Sequence, residues 1–148
     1  YPRGRGIYTE WKCPLETIEV GTGRKINDGE DVAVLTLGPI GNDVQDVIAT
    51  MDKKPAHYDM RFLKPLDENL LKEVAEKYKH IITIEDGVRN GGMGTAVMEW
   101  LNDNGYTNIS VKRMGIPDKF IEHGSIDELR AIIALDNDTI KKTICSYM

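Results

Sequence analysis

Cysteine and histidine are scarce in this chain, with two cysteines and three histidines in 148 residues. Cys13 and Cys145 lie far apart and lack a CxxC partner, so neither a disulfide framework nor a zinc site is signalled, and both read as reduced thiols. His57, His80 and His123 fall at unrelated positions without metal-ligand spacing, which leaves them structural or surface roles. Long hydrophobic runs are missing as well. None reaches the length that crosses a bilayer, and the opening residues hold no signal-peptide core, so a cytoplasmic protein without a membrane partner is expected. Nor is there a surplus of positive charge. The formal net charge of −5 is the wrong sign for a domain that neutralises nucleic-acid phosphates, and nucleic acid is not expected as a partner. An initiating methionine is also lacking: the first residue is Tyr1, which reads as a piece of a longer protein.

What is present is the composition of an ordinary globular domain, 41% hydrophobic and 29% charged, long enough to bury about 70% of its unfolded surface. Residues 1–15 are rich in Gly, Pro and Arg and lack periodicity, so they read as a linker, with one compact domain over 16–148. Residues 18–26 form an edge strand or hairpin arm in this reading, with Asn27, Asp28 and Gly29 supplying the turn. Residues 31–37 are a continuous apolar run of β-formers, the pattern of a strand buried on both faces of a parallel sheet.

From there strands and helices alternate. Val44, Val47, Ile48 and Met51 make one helical stripe, with Asn42 or Asp43 as candidate cap. A strand over 57–62 is followed by a helix opened by Asp67. A strand over 81–84 leads through the turn Gly91-Gly92-Met93-Gly94 into a third helix, and residues 108–114 supply a fourth strand. Ser125 and Glu128 spell a capping box, and Asp136 is placed to cap a terminal helix. The rhythm implies βαβ units, a mostly parallel sheet with helices on both faces, and one antiparallel edge strand: an α/β three-layer sandwich.

Ligands of such sheets bind outside the carboxyl ends of the strands, which nominates residues 38–42, 61–64, 85–94 and 115–123. The 91–94 turn could offer backbone N–H groups to an anion, but it is not a P-loop, and Glu85 and Asp86 before it would repel phosphate. Close helix–strand packing is the favoured reading there. Arg61 and Lys64 at a strand exit could hold a carboxylate, and Glu85 and Asp86 could act as acid–base groups. Neighbouring carboxylates on a strand point to opposite faces, so ion pairing, within the domain or across a subunit contact, is favoured over catalysis. No nucleophile with a recognisable base is evident. Arg3, between Pro2 and Gly4, presents a guanidinium fork suited to phosphate oxygens.

Four runs together carry a resemblance: Tyr1-Pro2-Arg3-Gly4, Asp59-Met60-Arg61-Phe62 with Lys64-Pro65-Leu66-Asp67, Glu85 followed by Gly91-Gly92-Met93-Gly94, and residues 115–124. In this order they resemble the last part of the bacterial 1-deoxy-D-xylulose-5-phosphate synthase family over essentially the whole chain. The resemblance implies the transketolase C-terminal domain, built on a five-stranded sheet, the third domain of a homodimeric enzyme that uses thiamine diphosphate and Mg2+. Such an enzyme condenses pyruvate with D-glyceraldehyde 3-phosphate, losing CO2. The family's cofactor, metal and proton-transfer residues lie in preceding domains, so this chain is expected to be non-catalytic, to bind no cofactor itself, and to serve domain packing and dimer assembly. Arg3 is the exception, matching the arginine that contacts the acceptor's phosphate. C-terminal domains of transketolases or 2-oxo-acid dehydrogenase β subunits are the near alternatives, although Phe62, the Lys64 to Asp67 run and residues 115–124 fit the synthase better. An autonomous small-molecule-binding module using the 91–94 turn is the remaining one.

Overall fold

The computed structural model describes residues 16–148. The expected linker over 1–15, with Arg3 and Cys13, lies outside the described residues. Ten elements follow in chain order: β1 (Arg24–Asn27), β2 (Val32–Leu37), α1 (Ile40–Ala49), β3 (Ala56–Asp59), α2 (Glu68–Lys77), β4 (His80–Val88), α3 (Met93–Asp103), β5 (Ser110–Ile116), α4 (Ile126–Ile132) and α5 (Asn137–Cys145). The five strands form one sheet in the order β1-β3-β2-β4-β5. The β3–β2, β2–β4 and β4–β5 pairs are parallel, and β1 alone runs antiparallel, against β3.

Alternation along the central strands divides the interior into two layers. Val32, Val34, Ile82 and Ile84 point to one face and pack with Ile40, Val44, Val47 and Ile48 of α1 and Ile140 and Ile144 of α5. Ala33, Leu35, Tyr58 and Ile81 point to the other, against Leu71, Val74 and Ala75 of α2 and Met93, Val97 and Leu101 of α3. The continuous apolar run of β2 is thereby used on both sides, and the three-layer α/β sandwich with one antiparallel edge is the architecture observed. No helix among the described residues is long and apolar enough to cross a membrane.

Local caps end the helices where the sequence marks them. The Asp67 carboxylate accepts from Leu70 N at 2.9 Å, Asp136 from Thr139 N at 2.9 Å, and Ser125 and Glu128 close a complete capping box. The expected caps of α1 do not form: Pro39 occupies the N-cap position without a side-chain bond, and Asp43 instead pairs with Arg130 at 3.0 Å. Four strand assignments also change. The early segment is the edge strand of its two alternatives, shortened to Arg24–Asn27: β3 and β4 already flank β2, so β1 pairs along the free edge of β3 rather than forming a hairpin with β2, while Gly29 lies hard against the Pro55 and Ala56 backbone. β3 stops at Asp59: Met60 N still makes the parallel ladder bond to the Thr36 carbonyl at 2.8 Å, and Arg61, whose N–H is taken by Asp59 Oδ1 at 3.1 Å and whose φ is 56°, turns the chain out of the sheet. β4 runs on through Glu85 and Asp86 to Val88, and β5 starts two residues later than its pattern suggested and ends at Ile116.

Candidate functional site

The carboxyl ends of β2 and β3, the start of α1 and the edge strand β1 enclose a cavity of about 370 Å3. Thr36, Gly38, Pro39, Gly41, Asn42 and Gln45 line one side, and Arg24, His57, Asp59, Arg61 and Phe62 line the other. Two of the nominated segments, 38–42 and 61–64, are thus brought together at one place; 85–94 and 115–123 are not part of it.

Period-two alternation of β3 puts His57 and Asp59 on the α1 face, where Thr36 of β2 also points. His57 is 1% exposed. Its Nε2 lies 2.9 Å from the Thr36 hydroxyl, which in turn donates to the Tyr58 carbonyl at 3.2 Å. With the hydroxyl's one proton spent there, the imidazole donates from Nε2 and leaves Nδ1 bare, and Nδ1 has no partner among the described residues. Burial drives the His57 pKa down to about 4, with Arg24 acting in the same direction and Asp59 opposing it. His57 is therefore neutral at physiological pH.

Arg61 is set apart by its backbone. Its φ is 56°, the left-handed region that costs a side-chain-bearing residue on the order of 1 kcal/mol and that gathers at functional sites. Neither Arg61 nor Lys64 forms an ion pair among the described residues, and the same is true of Glu85 and Asp86, whereas Arg24 pairs with Asp59 at 3.1 Å. Ion pairing within the domain, one of the two arrangements expected for those four residues, does not form among the described residues, and Glu85 bonds backbone N–H groups instead. With His57 neutral, the ionic residues of the cavity wall are Arg24, Asp59 and Arg61, which sum to +1 − 1 + 1 = +1. That balance suits an anionic group.

At the next strand exit, Glu85 faces inward and Asp86 outward, as alternation requires. Glu85 is 5% exposed, and its two carboxylate oxygens accept from Met93 N at 2.8 Å and Gly94 N at 2.9 Å. The N-terminus of α3 is thus satisfied by an anion from within the chain. Gly92 must be glycine for this, because a Cβ there would fall on the Glu85 carboxylate and the Val88 carbonyl. The 91–94 turn packs helix against strand, as favoured, and the phosphate site that the rival reading placed there is already filled.

His57, Thr36 and Asp59 were not singled out as cavity residues from sequence. The alternation of β3 carried that signal, but its value depended on knowing that β2 lies beside it. Arg3 cannot be placed, since it falls outside the described residues.

Residues 21–140 match the family model described as "Transketolase, C-terminal domain". A relative from Bacteroides thetaiotaomicron named 1-deoxy-D-xylulose-5-phosphate synthase is 53% identical over 97% of this chain, and the matched part is 23% of that protein. One of the same name from Phocaeicola vulgatus is 49% identical over 99% of this chain and 24% of its own length. The chain therefore spans about a quarter of the length of the curated relatives it matches. Among solved structures, one titled "Split gene transketolase, inactive beta4 tetramer" superposes with a TM-score of 0.79 at 26% identity, over 88% of this chain and 43% of that one. The two-faced sheet, its antiparallel edge and the family match over 21–140 together say that the chain belongs to the transketolase C-terminal domain family.

Proposed function

We propose that this chain is the carboxyl-terminal domain of a 1-deoxy-D-xylulose-5-phosphate synthase, which joins pyruvate to D-glyceraldehyde 3-phosphate with loss of CO2. The observation that carries the reading is 53% identity over 97% of the chain to a relative of that name. In this reading thiamine diphosphate and Mg2+ are held by preceding domains. The described residues do not fit that pair of groups: no three His, Cys, Asp or Glu side chains converge to hold a metal ion, and the carboxylate of the cavity, Asp59, is engaged by Arg24. No step of the carbon–carbon bond chemistry is assigned to them.

The domain's own share is packing, assembly of the homodimer, and capture of the acceptor's phosphate. Phe120 is 90% exposed, and Ile126 and Ile132 also stand in solvent. Helix α4 buries none of its residues, so this face is available to the rest of a longer protein. For the phosphate, Arg61 offers a guanidinium free of ion pairs among the described residues, in a cavity of net positive charge; Arg3 joins it by resemblance. Holding the phosphate orients the aldehyde toward the reacting centre and makes no bond itself.

The test is a chimera in which this chain replaces the matching part of the Bacteroides thetaiotaomicron protein. It should form 1-deoxy-D-xylulose 5-phosphate from pyruvate and D-glyceraldehyde 3-phosphate, while the 148-residue chain alone should not. A folded, dimeric chimera without turnover, or turnover by the chain alone, would overturn the reading. Arg3→Ala in the chimera should raise the KM for the aldehyde several-fold and leave kcat largely intact.

A further inference from the structure

Asp59 is the last residue of β3 and sits opposite Arg24 in the antiparallel pair. Its two oxygens do different work. Oδ2 accepts from Arg24 Nε at 3.1 Å and also lies 3.1 Å from a terminal nitrogen of the same guanidinium. Oδ1 accepts from the backbone N–H of Arg61 at 3.1 Å. The second bond closes a turn over Asp59, Met60 and Arg61 of the kind in which an aspartate side chain takes the place of a backbone carbonyl. The Met60 N–H is meanwhile held by the Thr36 carbonyl. Within two residues the chain leaves the sheet, and Arg61 is set at φ 56°.

We propose that Asp59 is the positioning residue of this cavity: by capping the Arg61 N–H it holds Arg61 left-handed, and that conformation places its guanidinium in the cavity wall, where it captures a phosphate group. The proposal rests on the reading above that the cavity receives the acceptor's phosphate. It also assigns a second duty to the same carboxylate. Oδ2 neutralises Arg24, so the anion meets Arg61 as the cation not already engaged. The chemistry requires aspartate at this place. Asparagine keeps an oxygen that can cap Arg61; glutamate keeps the charge, but its longer arm does not close a turn onto an N–H two residues on.

Two views of Asp59 make opposite forecasts. If it only dampens positive charge, Asp59→Ala and Asp59→Asn both free Arg24 and both bind phosphate more tightly. If it positions Arg61, Asp59→Asn binds at least as tightly as the wild type, whereas Asp59→Ala weakens binding at least tenfold, as does Arg61→Met. The 148-residue chain is titrated with inorganic phosphate at constant ionic strength and followed by NMR, with the Arg61 three-bond HN–Hα coupling and Cα shift reporting φ. Expected are left-handed values in the wild type and Asp59→Asn, and their loss in Asp59→Ala. Asp59→Glu, which conserves net charge and serves if the alanine variant does not fold, should lose both the φ and the affinity. Left-handed values and undiminished affinity in Asp59→Ala or Asp59→Glu would overturn the positioning role alone. Absence of saturable phosphate binding in the wild type would overturn the phosphate reading and this proposal with it, while the couplings would still tell whether Asp59 holds Arg61.

Discussion

Glu85→Ala removes a buried carboxylate that answers two of the open N–H groups of α3, at 2.8 Å from Met93 N and 2.9 Å from Gly94 N. Hydrogen bonds to a charged group contribute about 1.5–3 kcal/mol each, and the two N–H groups left behind are buried. Against this, the alanine variant no longer desolvates a carboxylate, so the expected net loss is about 3 kcal/mol rather than the full sum. Urea unfolding followed by circular dichroism reads this directly: with a slope of about 2 kcal/mol/M for a domain of this size, the midpoint should fall by about 1.5 M at unchanged slope. Glu85→Gln should lose nearly as much, because its amide turns a donor toward one of two converging donors. The vacated helix terminus should also accept an external anion. Sulfate should therefore raise the stability of Glu85→Ala more than that of the wild type, compared with sodium chloride at equal ionic strength. An alanine variant within about 0.5 kcal/mol of the wild type, or one that gains nothing extra from sulfate, would refute the view that an internal anion caps α3.

Asp67→Ala should cost about 2 kcal/mol in the same unfolding assay, because the carboxylate both caps α2 at Leu70 N and accepts from Gly23 N at 2.8 Å. His57 sets an acid limit. Its pKa is about 4 folded against 6.5 unfolded, so its contribution is fully present above pH 6.5 and lost as pH falls toward 4, by up to about 3 kcal/mol. His57→Leu should flatten that part of the stability–pH curve relative to the wild type, and parallel curves would contradict it. Ala134 has φ 60° just past α4, with Leu135 N bonded back to the Arg130 carbonyl at 2.8 Å, a helix ending that favours glycine. Ala134→Gly should raise stability by about 0.5–1 kcal/mol and Tm by about 2–3 °C in calorimetry.

The elements that read correctly from sequence are those whose evidence lies within a few neighbours. Asp67, Ser125 with Glu128, and Asp136 announce helix starts because a cap and its N–H partner are three residues apart, and all three caps form. The apolar run of β2 announces a strand buried on both sides because both helical layers draw on it. Where a local signal met a distant competitor, the competitor won. Asn42 and Asp43 looked like caps for α1, but Asp43 found Arg130. The strand expected over 57–62 was cut short nearer by, where the Asp59 side chain took the N–H of Arg61 and turned the chain out of the sheet.

The candidate site divides along the same line. Periodicity and family motifs in the chain were sufficient for the α/β alternation and the membership of the transketolase C-terminal domain family. The roles of the charged residues were not legible there, because each depends on a partner that folding supplies. Glu85 reads as a group that repels phosphate until α3 is seen to end on it, eight residues on. Arg61 reads as one half of an ion pair until its N–H is found on Asp59 and the residue itself in the cavity wall. His57 becomes a neutral, buried member of that wall only because β3 lies beside β2, which puts Thr36 within 2.9 Å across 21 residues of sequence. Burial and hydrogen bonding decide charge state and direction, and both are properties of neighbours in space that a pattern of period two or 3.6 does not encode.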